Sequence, residues 1–290
     1  MGMIISDLTD ENKTLYMDYI DADVAENLER TIYRGIIACD DFGKPEGGMV
    51  WRYKRIDPEE ALIYESVIEW IRADIPEAFE MMMNAYRMRI LGEEVVRSKV
   101  EIPVKNGKQM KYYLKNAGFD MKLTESDTAV MKLSELAGTA IMKKLKGKKI
   151  PGSIKPIKDI SPLMFKTGIA KCVLKGKTGL CDDLGSLFIK WFETDVSCAS
   201  VDGKDVNGFF LFHKKPSELI EAQLMICLDQ NFKTILPLMM YQVISAMIKK
   251  YGPDQKVSFD RHNDQVLLLA EKLIPRGFGI PVYVGSRSES

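Results

Sequence analysis

The sequence predicts an α/β protein with mixed, mostly antiparallel sheets flanked by helices, built as two consecutive modules. Three observations carry this. The chain has 290 residues, two to three times a typical domain. Its 46% hydrophobic and 28% charged residues are the balance of a folded globular protein, not of a disordered one. Apolar alternation, helical periodicity and Gly/Pro punctuation run through one plan twice.

The first half opens with a short apolar run, Met3–Ser6. An acid-rich stretch from about Asp10 to Arg30 follows, with Leu15, Tyr19, Val24 and Leu28 at roughly helical spacing. Two strands are expected at Ile32–Cys39 and Gly48–Tyr53, joined by a hairpin loop over Asp40–Pro45. A longer strand, Ala61–Ile71, leads to a helix that Asp74 caps and Pro76 opens, carrying Phe79, Met82, Met83, Tyr86 and Ile90. Glu94–Val104 reads as a strand. Gly107–Ala117 reads as a helix closed by Gly118, and Phe119–Leu123 with Thr128–Leu133 as a last hairpin.

Residues 137–153 hold five lysines with Gly147, Pro151 and Gly152, the composition of a solvated linker. The expected domains are therefore 1–136, this linker, and 154–290. In the second half, helical material fills Ser161–Trp191. Strands follow at Asp195–Val201, Val206–Lys214 and Glu218–Leu228, then a helix from about Thr234 to Tyr251. A strand Lys256–Asp260, a helix Asp264–Pro275 ending in Gly277 and a final strand Ile280–Val284 complete the plan. The pairs Gly43/Gly203 and Gly48/Gly208 are 160 residues apart and Gly118/Gly277 are 159 apart, each at the same place in its half. Together with the repeated element order this points to an ancient duplication.

Composition excludes several classes. No run of about 18 apolar residues exists, so no membrane-spanning helix is expected. The N-terminus has no basic start and no long apolar run, so no secretory signal is read there. The five cysteines include no CxxC pair, and His213 and His262 are the only histidines, so neither a disulfide framework nor a multi-histidine metal centre is expected. Cytoplasm is the default compartment. The net charge of zero hides an asymmetry: residues 1–136 carry 18 basic and 26 acidic side chains, and residues 137–290 carry 23 and 15. The second half is the better host for an anion. No basic, aromatic-laced stripe suggests nucleic acid.

The order is strand, helices, three antiparallel strands, helix, strand, helix, strand. The hairpin Arg34–Tyr53, the strand Ala61–Ile71 leading to Pro76, and the stretch Tyr112–Phe119 carry it in the first half. Val206–Lys214, Leu219–Leu228 and Leu273–Phe278 carry it in the second. This resembles the GNAT acetyltransferase superfamily, as two tandem modules covering nearly the whole chain. The resemblance implies a Gln/Arg-x-x-Gly-x-Gly/Ala loop between strand four and the next helix, whose backbone N–H groups cradle the pyrophosphate of coenzyme A. In the first half the frame is Arg72-Ala73-Asp74-Ile75-Pro76-Glu77, with both small positions lost, a donor removed by Pro76 and acids added. In the second it is Gln230-Asn231-Phe232-Lys233-Thr234-Ile235, again without the glycines, yet with Lys233 and a capping Thr234 to meet a phosphate.

Acetyl transfer to an amine also needs a base for the amine and a proton for the leaving thiolate. The resemblance makes Glu69 and Glu221, on strand four of each half, candidate bases; Glu65 lies two positions along the same face from Glu69. Tyr113 is the candidate acid, though the family spacing Tyr-x-x-x-Gly-Phe falls on Leu114, about 100° away round a helix. Cys227, Gln230, Lys233, Thr234 and Asn263 are the candidate cofactor-binding residues. The simplest alternative for Cys227 is a buried small hydrophobe; for Asn263, and for His262 beside it, a helix-capping loop. No metal ligand set is expected.

The leading expectation is an acetyl-CoA-dependent N-acyltransferase acting on a small-molecule amine or peptide, with the cofactor in the second module. A homodimer is left open. The rival is a scaffold or binding protein that has lost coenzyme A. A parting of strands four and five in the second module, leaving room for a pantetheine arm, favours the enzyme; a closed sheet favours the scaffold.

Overall fold

The structure, a computed structural model, describes residues 2–56, 63–105, 107–179, 182–229, 231–260 and 279–289. The chain divides into two compact units, Met1–Ser126 with Ile280–Ser290, and Asp127–Gly279.

Unit 1 contains β1 (Met3–Leu8), α1 (Ala22–Asn27), β2 (Tyr33–Asp40), β3 (Pro45–Arg55), β4 (Tyr64–Ala73), α2 (Pro76–Ile90), β5 (Val95–Pro103) and α3 (Lys108–Asn116). The acid-rich stretch expected as one helix makes only a 3-10 turn at Lys13–Tyr16 and the short α1. Asp21 takes extended backbone there and accepts from the Asp23 N–H, so a fresh helix starts instead of an old one continuing. The first four strands are antiparallel neighbours, while β4 and β5 run parallel. Ile36, Met49, Trp51 and Ile68 pack on Phe79, Met82, Met83 and Tyr86 of α2, so the Met81–Met83 run fills core. Leu8, Ile37 and Val50 line the opposite face with Leu28.

The expected hairpin after α3 is instead one continuous strand, β6 (Asp120–Lys132). A tight hairpin needs left-handed residues at its tip. Among the described residues, positive φ outside glycine occurs only at Glu94 and Glu218, so Thr124–Asp127 stays extended. Its residues to Ser126 belong to unit 1 and the remainder to unit 2. The last strand, β12 (Gly279–Ser288), expected as the close of the second half, pairs antiparallel with β5 in unit 1, from Val282 opposite Pro103 to Ser288 opposite Arg97. Gly285 is required there: a Cβ would stand 2.9 Å from Val100 Cγ1 and nearer still to the Met121 sulfur. Arg287 seals the contact, donating to the Ala117 carbonyl (3.2 Å) and covering the Phe119 ring at 4.8 Å.

Unit 2 continues with α4 (Leu133–Ala137) and α5 (Ala140–Leu145), which occupy part of the stretch expected as linker; Met142 and Leu145 are buried while the lysines stay outside. Then come β7 (Ile154–Pro156), α6 (Pro162–Leu174), β8 (Cys198–Asp202), β9 (Asp205–Lys214), β10 (Ile220–Cys227), α7 (Phe232–Tyr251) and β11 (Lys256–Asp260). The strand order is β6-β11-β10-β9-β8-β7, with β10 and β11 parallel and the other neighbours antiparallel. One face packs Met225 and Phe212 on Met239, Met240 and Val243 of α7; the other packs Leu224 and Phe209 on Phe165 and Ile169 of α6. Gly43 and Gly203 both take positive φ at hairpin tips, +82° and +59°. The expected helix Asp264–Pro275, with Gly277, lies outside the described residues.

Candidate functional site

In each unit the central parallel pair of strands parts. The β4–β5 rungs run from Tyr64/Val95 to Ile68/Val100, while β4 continues to Ala73. In unit 2 the parting comes earlier. Among the described residues, β10 meets β11 only at Ile220/Val257 and Glu221/Ser258, and then runs on to Cys227. Six residues at about 3.3 Å each make roughly 20 Å of β10 edge with no strand paired to it on that side among the described residues. Each parting begins at a bulge. One extra residue, Glu69, interrupts β3–β4 between Ile68 and Trp70, and one, Gln223, interrupts β9–β10 between Ala222 and Leu224. A bulge turns a strand and re-aims its side chains.

The strand then feeds a helix, and here the units differ. In unit 1, Arg72 is spent on Asp74 (Nε to Oδ1, 3.1 Å), on the Tyr19 carbonyl (3.3 Å) and over the Tyr19 ring at 4.2 Å. Asp74 does not cap α2 as expected; the N-cap is Ile75, with no side-chain bond, because Asp74 is held by Arg72. Pro76 and Glu77 complete a first turn that lacks a donor and carries an acid. Phe79 of α2 and Tyr113 of α3 meet at 5.1 Å, so the helices following β4 and β5 touch. Tyr113 accepts from Gln109 Nε2 at 2.7 Å. Deeper in, the Tyr86 hydroxyl bonds both Ser66 (2.7 Å) and Ser98 (2.6 Å), tying β4 to β5 where they still pair. Burial pushes its phenol pKa up to about 12.

In unit 2, α7 begins at Phe232 with Asn231 as N-cap and no acid in its first turn. Thr234 is not the cap expected of it; it sits inside the helix, because the Asn231 carbonyl already accepts from the Thr234 and Ile235 N–H groups. Lys233 and Thr234 are exposed. The Asp229 carboxylate accepts from the Asn231 N–H (2.7 Å) and its carbonyl from the Phe232 N–H (3.1 Å), so one negative charge stands at the helix mouth and the Lys233 N–H is left without a backbone acceptor among the described residues. The 20-residue helix turns its positive dipole end here.

The remaining candidates fall as follows. Glu69 pairs with Arg52 (2.5 Å), and the buried Glu65 with Lys99 (2.6 Å) and Arg97 (3.3 Å). Glu221, at the foot of the parting, pairs with Lys215 (2.7 Å) and accepts from Gln223. Cys227 is at the far end of β10, half-buried, its thiol pKa raised by burial, so it is held as a thiol. His213 lies opposite Glu221 on β9, stacked on Trp191 at 4.1 Å with Nδ1 2.6 Å from the Trp191 carbonyl; an imidazole so fixed is a structural one. Gln230, His262 and Asn263 lie outside the described residues. Sequence reasoning missed Ser258. It stands beside Glu221 on β11, 1% exposed, its hydroxyl without a hydrogen-bond partner among the described residues. A lone serine between Val257 and Phe259 gives no sign of this until register places it. Among the described residues no cluster of three or more His, Cys, Asp or Glu side chains is arranged for a metal, and no helix is long and apolar enough to cross a membrane.

Each unit thus has two parallel strands that part, a bulge at the point of parting and a helix N-terminus beyond it. No protein-family model matches the chain, and no curated protein matches its sequence. Solved structures do match in shape. A tandem GNAT protein from the clavulanic acid biosynthesis pathway aligns over 100% of this chain and 99% of its own, with a TM-score of 0.60 and 8% identity. A GCN5-related glucosamine N-acetyltransferase region of a fungal multi-domain β-N-acetylglucosaminidase aligns over 99% of this chain and 38% of its own, with a TM-score of 0.56 and 12% identity. A conserved protein of unknown function from Enterococcus faecalis, described as a probable N-acyltransferase, aligns over 100% and 73%, with a TM-score of 0.53 and 11% identity. The chain has the tandem GNAT fold. At these identities the likeness is one of fold.

Proposed function

We propose that the protein is an acyl-CoA-dependent N-acyltransferase, moving an acetyl group from acetyl-CoA to an amine, with the cofactor in unit 2. The observation that carries this is the early parting of β10 and β11 below a helix N-terminus whose first turn bears Lys233 and no acid. The Lys233 side chain and backbone N–H would hold the pyrophosphate, and the edge of β10 beyond Glu221 would take the pantetheine arm. Acetyl-CoA supplies an activated acyl group. This chain's own residues supply the rest: Glu221 takes the proton of the amine at its carboxylate, with Lys215 and Gln223 fixing its orientation. Ser258 Oγ, buried and in need of a partner, donates a hydrogen bond into the same space. Unit 1, with Arg72 neutralised and its helices in contact, is the degenerate partner. The domain plan of two tandem modules goes with this reading, as does a small amine or peptide acceptor and a cytoplasmic protein.

The scaffold reading has one observation in its favour: both candidate bases, Glu69 and Glu221, are ion-paired. Calorimetric titration with acetyl-CoA, with free coenzyme A as control, separates the two. The enzyme reading expects saturable binding near one site per chain. Lys233→Glu is expected to weaken it at least about ten-fold and Ile75→Glu to leave it unchanged. Equal effects from both would remove unit 2 as the site; no heat up to about millimolar ligand would leave the scaffold.

A further inference from the structure

A second recessed site lies in unit 1, away from the parting of β4 and β5. β1 ends at Leu8 opposite Gly35, but β2 begins two residues earlier, so Tyr33 and Arg34 run past the end of β1. The notch opens into a cleft of about 570 Å³ that reaches Trp51 and Tyr53 on β3 and Arg89 and Glu93 at the end of α2. α2 is 15 residues, about 22 Å, and Pro76 at its other end marks the mouth of the parted strands. The two sites are thus at opposite ends of one helix. The volume suits a small metabolite.

The lining is specific in chemistry. Arg34 Nη1 donates to the Thr31 (2.7 Å) and Tyr33 (2.8 Å) carbonyls. That uses both its hydrogens and fixes the guanidinium plane, while Nε and Nη2 have no acceptor among the described residues. Trp51 is fully buried and its Nε1 lacks a hydrogen bond of good geometry; it leans on the Tyr53 hydroxyl, which it pulls down in pKa against the larger upward push of burial. The acids nearby are mostly committed: Asp7 to Arg89 (2.5 Å) and Glu29 to Lys13 (3.0 Å). Glu93 stays exposed at the rim and disfavours a multiply charged ligand. Tyr53, with Trp51 beneath it, supplies a flat apolar wall.

We propose that this cleft binds a small planar organic monoanion, its carboxylate on the free edge of the Arg34 guanidinium and its ring against Tyr53, which covers the Trp51 indole. A fixed guanidinium fork favours a carboxylate over a point charge.

The test is a nuclear magnetic resonance titration of the full chain, indole-labelled with ¹⁵N, using benzoate as the probe and benzyl alcohol as the neutral control. The three tryptophans give three indole signals, and Trp51→Phe identifies one. Benzoate is expected to move the Trp51 signal saturably, with benzyl alcohol at least about ten-fold weaker. Arg34→Met, at an exposed position, should raise the benzoate Kd about ten-fold or more, Arg34→Lys less, and Glu93→Gln should lower it. No saturable shift by about 20 mM benzoate, equal binding of the alcohol, or an unchanged Kd in a folded Arg34→Met overturns the proposal.

Discussion

Glu193 carries opposing forces on one carboxyl. Burial pushes its pKa up, but hydrogen bonds from Lys250 (2.7 Å) and Tyr251 outweigh that and hold it below the ordinary value of 4.5. The same bond, added to burial, pushes the Tyr251 phenol up to about 12. A carboxyl with a depressed folded pKa contributes stability that is complete above its unfolded value and is lost as pH falls through the folded one. Glu193→Gln is therefore expected to cost about 1 kcal/mol at pH 7, after allowing for solvent screening. Urea unfolding at neutral pH and at about pH 3 should show that difference shrinking as the wild-type carboxyl protonates. A deficit that persists undiminished in acid would mean that packing, not charge, holds this corner. The residue-level signals readable from sequence were of this kind only in part. The resemblance singled out Glu221 on a strand and Lys233 at the helix start that follows it, whereas the placing of Lys215, Gln223 and Ser258 around Glu221 required the fold.

At the scale of the element, β12 has the clearest consequence. It covers the edge of β5 along Pro103 to Arg97, and Arg287 holds the turn after α3 through the Ala117 carbonyl and the Phe119 ring. Without it β5 becomes a bare edge with unpaired N–H and C=O groups. Deleting residues 279–290 should therefore speed amide exchange across Val95–Pro103 by orders of magnitude while leaving β8 and β9 protected. Unchanged protection of β5 would show that the unit closes without it. The element list itself was largely legible: most strands and helices fall within a few residues of their expected ends, because alternation, proline starts and Gly118 are local signals. The failures were non-local. The Thr124–Asp127 stretch looked like a turn by polarity but contains no glycine or asparagine for a tight reversal, and the partner of the last strand lies some 180 residues back in the chain.

For the whole molecule, the zero net charge is the sum of an acidic first half and a basic second half, so an anionic ligand has an electrostatic preference between them. The two partings differ in the same sense: among the described residues β10 leaves its parallel partner after two rungs and β4 after five, and the first turn of α7 has no acid where that of α2 has Pro76 and Glu77. Hydrogen exchange with saturating acetyl-CoA gives the matching prediction. Ligand at about 100 Kd adds about 2.7 kcal/mol to the state that binds it. Slowed exchange is expected in β10, β11 and the first turns of α7, with β4 and α2 unaffected. Protection in α2 alone would move the cofactor to unit 1.

The sequence by itself determined the class of fold, the duplication and the identity of most elements. These follow from periodicity, capping and turn chemistry that act within about ten residues of chain. The resemblance also pointed to Lys233, at the helix start after a strand, and to Glu221 on that strand as candidates. Only tertiary structure decided that β10 leaves β11 after Glu221, that Ser258 is buried beside that carboxylate, that Arg72 is neutralised, and that the final strand serves the first unit. The reason is physical: strand pairing and burial are set by competition among segments distant in sequence, and neither the register of a parallel pair nor the partner of an ion is written in the residues next to it.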